Sequence, residues 1–121
     1  MKTIRIGGGQ GFWGDINDAA IDMVQHGDLD YLACDYLAEL TLSIMQRQRQ
    51  RRPETGYAQD FIGLAKQILD TCLDKKIKIV TNAGGMNVAG AVEAVAQVAG
   101  AKGRKCRIAS ITGDDLLDQL D

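Results

Sequence analysis

Proline occurs once in 121 residues, histidine once, and aromatic side chains make up only 5% of the chain. A core must therefore be packed from Ile, Leu, Val, Met and Ala, and any imidazole chemistry rests on His26 alone. Neither charge dominates: the net charge is -2 and the pI is near 5.3, which removes the basic excess that nucleic-acid binding needs. No apolar run approaches the ~20 residues that span a bilayer, and the N-terminus lacks the apolar stretch of a signal peptide. These absences predict a cytoplasmic chain with neither nucleic acid nor membrane as partner. Cysteine is also sparse. Cys34, Cys72 and Cys106 are odd in number and contain no C-x-x-C pair, so they read as reduced, buried thiols rather than zinc ligands.

What is present is ordinary for a globular protein, with 45% hydrophobic and 25% charged residues. The length suits one domain, taken here as residues 1–121. Thr3–Ile6 is a β-branched run that predicts a first strand, with Gly7-Gly8-Gly9 as the turn after it. Asp15 is placed to cap a helix whose apolar residues Ile16, Ala19, Ala20, Met23 and Val24 follow helical spacing. Gly27 ends it, and His26 in the last turn suits the helix dipole, which accounts for this histidine without a catalytic role.

Leu29–Ala33 predicts a second strand, and Asp35 caps a helix presenting Leu37, Leu40, Ile44 and Met45, broken at Pro53. From Ala58, Phe61, Leu64, Ala65, Ile68, Leu69 and Cys72 form the clearest amphipathic stripe in the chain. Ile77–Thr81 predicts a third strand, followed by a slim helix over Val88–Ala101. Arg104–Ile111 predicts a fourth strand, and Thr112-Gly113-Asp114-Asp115 a capping box that opens a last helix at Leu116. Strands joined through helices imply a parallel sheet. The expected fold is a three-layer, Rossmann-like α/β domain with about four strands and helices on both faces. The last helix has barely begun at Leu120-Asp121, which leads us to expect a fragment of a longer domain. The slim Ala/Val helix would suit burial in a homo-oligomer interface.

Ligands of open parallel sheets bind at the carboxyl ends of the strands. Four such ends collect glycine and polar residues: Gly7–Gly11, Asp35-Tyr36, Asn82–Gly85 and Thr112–Asp115, whereas turns such as Asp74-Lys75-Lys76 are bland. The expected ligand-binding set is Gly8, Gly9, Gln10, Gly11, Asp15, Asp35, Asn82, Gly84, Gly85, Thr112, Gly113 and Asp114. The glycine turns would expose N–H groups that cradle phosphate or carboxylate. Asp35, Asp114 and Asp115 are the catalytic candidates, and carboxylates with a ligand phosphate would suit Mg²⁺, although no metal-ligand set is assigned. Asp15, Asp35 and Asp115 each also have capping work to do. The arginines between Arg47 and Arg52 could clamp coenzyme A, but alternation with glutamine suits a solvated helix end better. Gly9–Gly14 spells G-x-G-x-x-G, with Asp35 about 20 residues on, as in dinucleotide sites. The extra glycines before it, bulky Phe12 and Trp13, and the negative charge of Asp15 all oppose an NAD(P) oxidoreductase.

Taken in order, four segments resemble the acyclic terpene utilisation family. They are Gly7–Asp15 with Ala19-Ala20, Asp30–Thr41, Asn82–Asn87 and Thr112–Asp115. Trp13 stands where that resemblance leads us to expect a smaller or more polar residue. The resemblance implies the N-terminal part of a longer domain, and a pathway of acyclic terpenoid breakdown through CoA thioesters. It brings no catalytic roles to these residues. The expected function is an enzyme or enzyme component acting on branched acyl-CoA metabolites. A non-catalytic ligand-binding or assembly subunit is the alternative, because a nucleophile–base pair is missing from the motifs.

Overall fold

A computed structural model describes residues 3–120. The elements run β1 (Ile6–Gln10), α1 (Asp18–His26), β2 (Tyr31–Cys34), α2 (Glu39–Arg51), α3 (Gln59–Lys75), β3 (Lys78–Thr81) and α4 (Val88–Ala101), then a short 3₁₀ turn at Leu117–Gln119. The strands form a parallel three-stranded sheet in the order β1-β2-β3. The fold is α/β as expected, with three strands rather than four among the described residues. No helix among the described residues is long and apolar enough to cross a membrane.

The glycine triplet is strand, not turn. Gly7 and Gly9 face α1, and a Cβ at Gly9 would lie 2.9 Å from Leu32 Cδ1 and 3.0 Å from Ala20 Cβ. At Gly7 it would lie 2.9 Å from Leu29 Cδ1 and 3.0 Å from Met23 Sδ. Bare backbone at these inward positions lets α1 sit close on the sheet, which is why its Ala20 and Val24 are fully buried. A bulge between Gly8 and Gln10 breaks the register, so that Gly9 and Gln10 are both buried.

The core gathers Leu32, Tyr36, Met45, Leu64 and Ile68, all at 0–1% exposure, around Phe61 and Cys72. Every apolar residue of the predicted α3 stripe is buried. Tyr36 meets Phe61 edge to face, with ring centroids 6.0 Å apart. The α2 expectation is corrected: Leu40 is 71% exposed and only Met45 of that helix is buried. Asp35 does not cap it either. The helix starts at Glu39, where the Thr41 hydroxyl accepts from the Ala38 N–H and donates to the Ala38 carbonyl.

Two further expectations give way. Arg104–Ile111 forms no strand, because its start is tied to α3 instead: Arg104 pairs with Asp70 and Asp74, and Cys106 packs on Leu69, Val98 and Ala99. The anticipated final helix is only the single 3₁₀ turn, since Asp115 spends one oxygen on the Leu117 N–H and the other on Arg49. Asp121, where that helix was expected to continue, lies outside the described residues. Helices also cover one face of the sheet, not both. Both crossovers step the same way along β1-β2-β3, and right-handed connections then put their helices on the same side. Helix α4 packs on α3. The opposite face carries Ile6, Gly8, Tyr31, Ala33, Lys78 and Val80, with Ile6 61% and Val80 57% exposed.

Candidate functional site

A shallow concavity of about 400 Å³ opens at the carboxyl ends of the three strands. Its floor is Gly8, Ala33 and Val80 from the uncovered sheet face, and its rim is Gln10, Cys34, Asp35, Thr81 and Asn82. The floor is apolar and low because Gly8 has no side chain and nothing lies within 4 Å of where one would be. The rim is polar because each strand ends in a residue that ties down its neighbour.

Asn82 organises that rim. Its Nδ2 donates to Asp35 Oδ1 at 2.7 Å, and its Oδ1 accepts from the Tyr36 N–H at 2.8 Å. The Thr81 hydroxyl donates to the Cys34 carbonyl at 2.8 Å and accepts from the Ala83 N–H. The Asp35 N–H donates to the Gln10 carbonyl, so the ends of β1, β2 and β3 are laced together. The Asn82 amide, followed by the Leu37 N–H, holds the Asp35 carboxyl below the usual carboxylate range. Asp35 is an exposed carboxylate with Oδ2 unpartnered among the described residues.

Replacing Asn82 with Ala removes both bonds. We expect about 1 kcal/mol lower stability in urea melts from the lost Tyr36 N–H bond. A carboxyl held low in the folded state adds stability above its unfolded pKa and loses it as pH falls through the folded value. Wild type should therefore carry an acid-side decline, below about pH 4, that Asn82→Ala flattens. An unchanged acid slope would show that this pair is not formed.

The anticipated anion cradles are already filled by the chain itself. The Gly11 N–H donates to Asp15 Oδ2 at 3.0 Å, and Ile16 N–H takes Asp15 Oδ1, so Asp15 closes the first loop instead of capping α1. In the turn after β3, the N–H groups of Gly85, Met86 and Asn87 donate to the carbonyls of Asn82, Gly56 and Gly84. The G-x-G-x-x-G segment also lacks dinucleotide geometry: its first glycine is inside β1 and α1 begins only at Asp18.

Of the expected residues, Gly8, Gln10, Asp35 and Asn82 line the concavity, and Gly11 and Asp15 form the loop beyond β1. Gly9 faces the core. Gly84 lies against Val88, and a Cβ at Gly85 would overlap the Met45 sulfur, so both serve packing. Thr112, Gly113 and Asp114 are exposed in the irregular C-terminal segment and line no part of the concavity; Asp115 is engaged by Arg49. Ala33, Cys34, Val80 and Thr81 were missed; period-two alternation could have found Ala33 and Val80 on one face, and the strand ends could have found Cys34 and Thr81.

Catalytic equipment is thin. Burial, with Cys72 nearby, pushes the Cys34 thiol up to about 11, which leaves it protonated and unreactive at neutral pH. The Tyr36 hydroxyl is fully buried, and burial raises its pKa too. His26 bonds Asp22 at 2.9 Å in the last turn of α1, away from the carboxyl strand ends. Among the described residues, no group of three His, Cys, Asp or Glu side chains is placed to hold a metal ion.

No curated protein and no solved structure matches the chain. Residues 4–121, however, match the family described as acyclic terpene utilisation family protein AtuA. The match spans all four glycine- and polar-rich segments, including both residues that organise the rim, Asp35 and Asn82. The chain therefore belongs to the acyclic terpene utilisation (AtuA) family.

Proposed function

We propose that the chain binds metabolites of acyclic terpene utilisation at this strand edge, as a cytoplasmic enzyme component of branched acyl-CoA catabolism. The observation that carries the proposal is the concavity's division into an apolar floor of Gly8, Ala33 and Val80 and a polar rim centred on Asp35 and Asn82. A branched hydrocarbon chain lies along the floor, where burying each CH₂ is worth about 0.8 kcal/mol. The polar end of the metabolite meets the rim. A volume of about 400 Å³ falls in the range of small-molecule sites.

One observation favours the second reading, a ligand-binding component without chemistry of its own. The rim contains no nucleophile activated by a base: its thiol is protonated and His26 lies elsewhere. Under that reading the chain presents the metabolite to a partner that supplies the reaction.

Thermal shift tests the site. The probes are a ten-carbon branched alkenol, the CoA thioester of the acid with the same carbon chain, NAD and NADP. A probe at a hundredfold excess over its Kd adds about 2.7 kcal/mol to stability. Gly8→Leu fills the floor from the open face, where nothing stands within 4 Å to clash with it. We expect a terpenoid shift in wild type that Gly8→Leu abolishes, with the ligand-free melting temperature nearly unchanged. A shift that survives Gly8→Leu would place binding elsewhere, and a response to NAD or NADP alone would restore the oxidoreductase.

A further inference from the structure

We infer that the strand edge recognises its ligand through a hydrogen-bond donor on the ligand's polar end, a hydroxyl or an ammonium, and discriminates against a carboxylate at that end. The inference rests on the site placement proposed above and specifies which head group that site takes.

It follows from which polar groups are spent. Around the rim the donors are committed: Gly11 N–H to Asp15, Tyr36 N–H to Asn82, and the Thr81 hydroxyl to Cys34. Gln10 Nε2 is committed to the Ile16 carbonyl and Asn17 Oδ1, at 3.3 and 2.9 Å. One amide hydrogen of Asn82 is left over. The unspent groups are acceptors. Asp35 Oδ2 has no partner among the described residues and carries charge into the mouth of the concavity.

Gln10 supplies an independent observation. It is a residue of the same lining, only 6% exposed, whose side chain turns to Ile16 and Asn17 and keeps Oε1 buried with no partner among the described residues. A buried acceptor left unmatched costs free energy that a donor would recover. The cation that reaches the neighbouring turn does not offset Asp35 either. Arg49 Nη1 is engaged by the Met86 carbonyl at 2.7 Å and by Asp115. An anionic head would therefore face an ionised carboxylate with almost nothing to bond, whereas a hydroxyl or ammonium finds a charged acceptor.

Three probes with the same ten-carbon branched alkenyl chain, ending in a primary alcohol, a primary amine and a carboxylate, separate the possibilities by calorimetric titration of the full-length protein. The alcohol and amine should bind at least tenfold more tightly than the carboxylate, and Asp35→Asn should reduce that ratio to below threefold. A carboxylate that binds as tightly as the alcohol, or more tightly, overturns the inference while leaving the site in place. Failure of all three to bind removes the site and the inference together. The wild-type ranking decides on its own where Asp35→Asn does not fold.

Discussion

Gly9→Val is expected to lower the unfolding free energy by about 3 kcal/mol, while Gly8→Val changes it by less than about 0.5 kcal/mol, the upper cost of overpacking against a routine surface change. The two glycines are neighbours in the same strand and look interchangeable in sequence. They differ in what a Cβ would meet. At Gly9 it would press on Leu32 Cδ1 at 2.9 Å, Ala20 Cβ at 3.0 Å and Cys34 Sγ at 3.3 Å. None of these can yield cheaply, because Leu32 and Ala20 are at 0% exposure in the packed core. At Gly8 there is open space. A β-branched residue there even suits strand geometry. Urea denaturation of both variants measures the contrast, and equal losses would mean that α1 does not lie on the sheet at this distance.

Phe61→Ala should cost more, about 3–5 kcal/mol, the usual range for emptying a buried aromatic site. Phe61 opens α3, is 6% exposed, and supports the ring of Tyr36 at the start of the rim. Truncation removes core area and the edge-to-face contact together. Small domains are stable by only about 5–15 kcal/mol, so the variant should melt far earlier in a thermal scan. Because Tyr36 directly follows Asp35, the remaining folded protein should also bind terpenoid probes more weakly. A loss below about 1 kcal/mol would show that the α3 stripe is not the main seam of the core.

The elements legible in the sequence were those specified by their own periodicity. Phe61, Leu64, Ala65, Ile68, Leu69 and Cys72 define α3 without outside help, and Pro53 ends α2 by local backbone chemistry. Gly27 does end α1, but in extended backbone, where a Cβ would strike the Met23 carbonyl. What escaped depended on neighbours. Glycine signals a turn by its own freedom, so nothing local in Gly7-Gly8-Gly9 showed that Met23, Leu29 and Leu32 would press upon a strand there. Ile108 and Ile111 read as a strand by composition, but pairing requires an edge, and ionic contacts of Arg104 hold the segment's start on α3.

Within the site, Asp35 and Asn82 could be found because polar residues at strand ends have few other purposes. Their mutual bond could not, since it joins residues 47 positions apart. The apolar floor was invisible for the same reason: Gly8, Ala33 and Val80 become one surface only through the strand register. Asp15 shows the converse. Its carboxylate occupies the Gly11 N–H group that the sequence assigns to a ligand.

Asn87 makes three side-chain bonds that join two parts of the chain. Its Oδ1 accepts from the Gly90 N–H in the first turn of α4, and its Nδ2 donates to the carbonyls of Pro53 and Thr55 in the α2–α3 loop. The same loop returns the tie, for the Gly56 carbonyl accepts from Met86 N–H and Ala58 N–H donates to Ala83. Neither the loop nor the start of α4 can open without breaking bonds of the other. They form one cooperative unit, and its amides should exchange with solvent together, at the pace of the weaker partner, although more than 30 residues separate them in sequence.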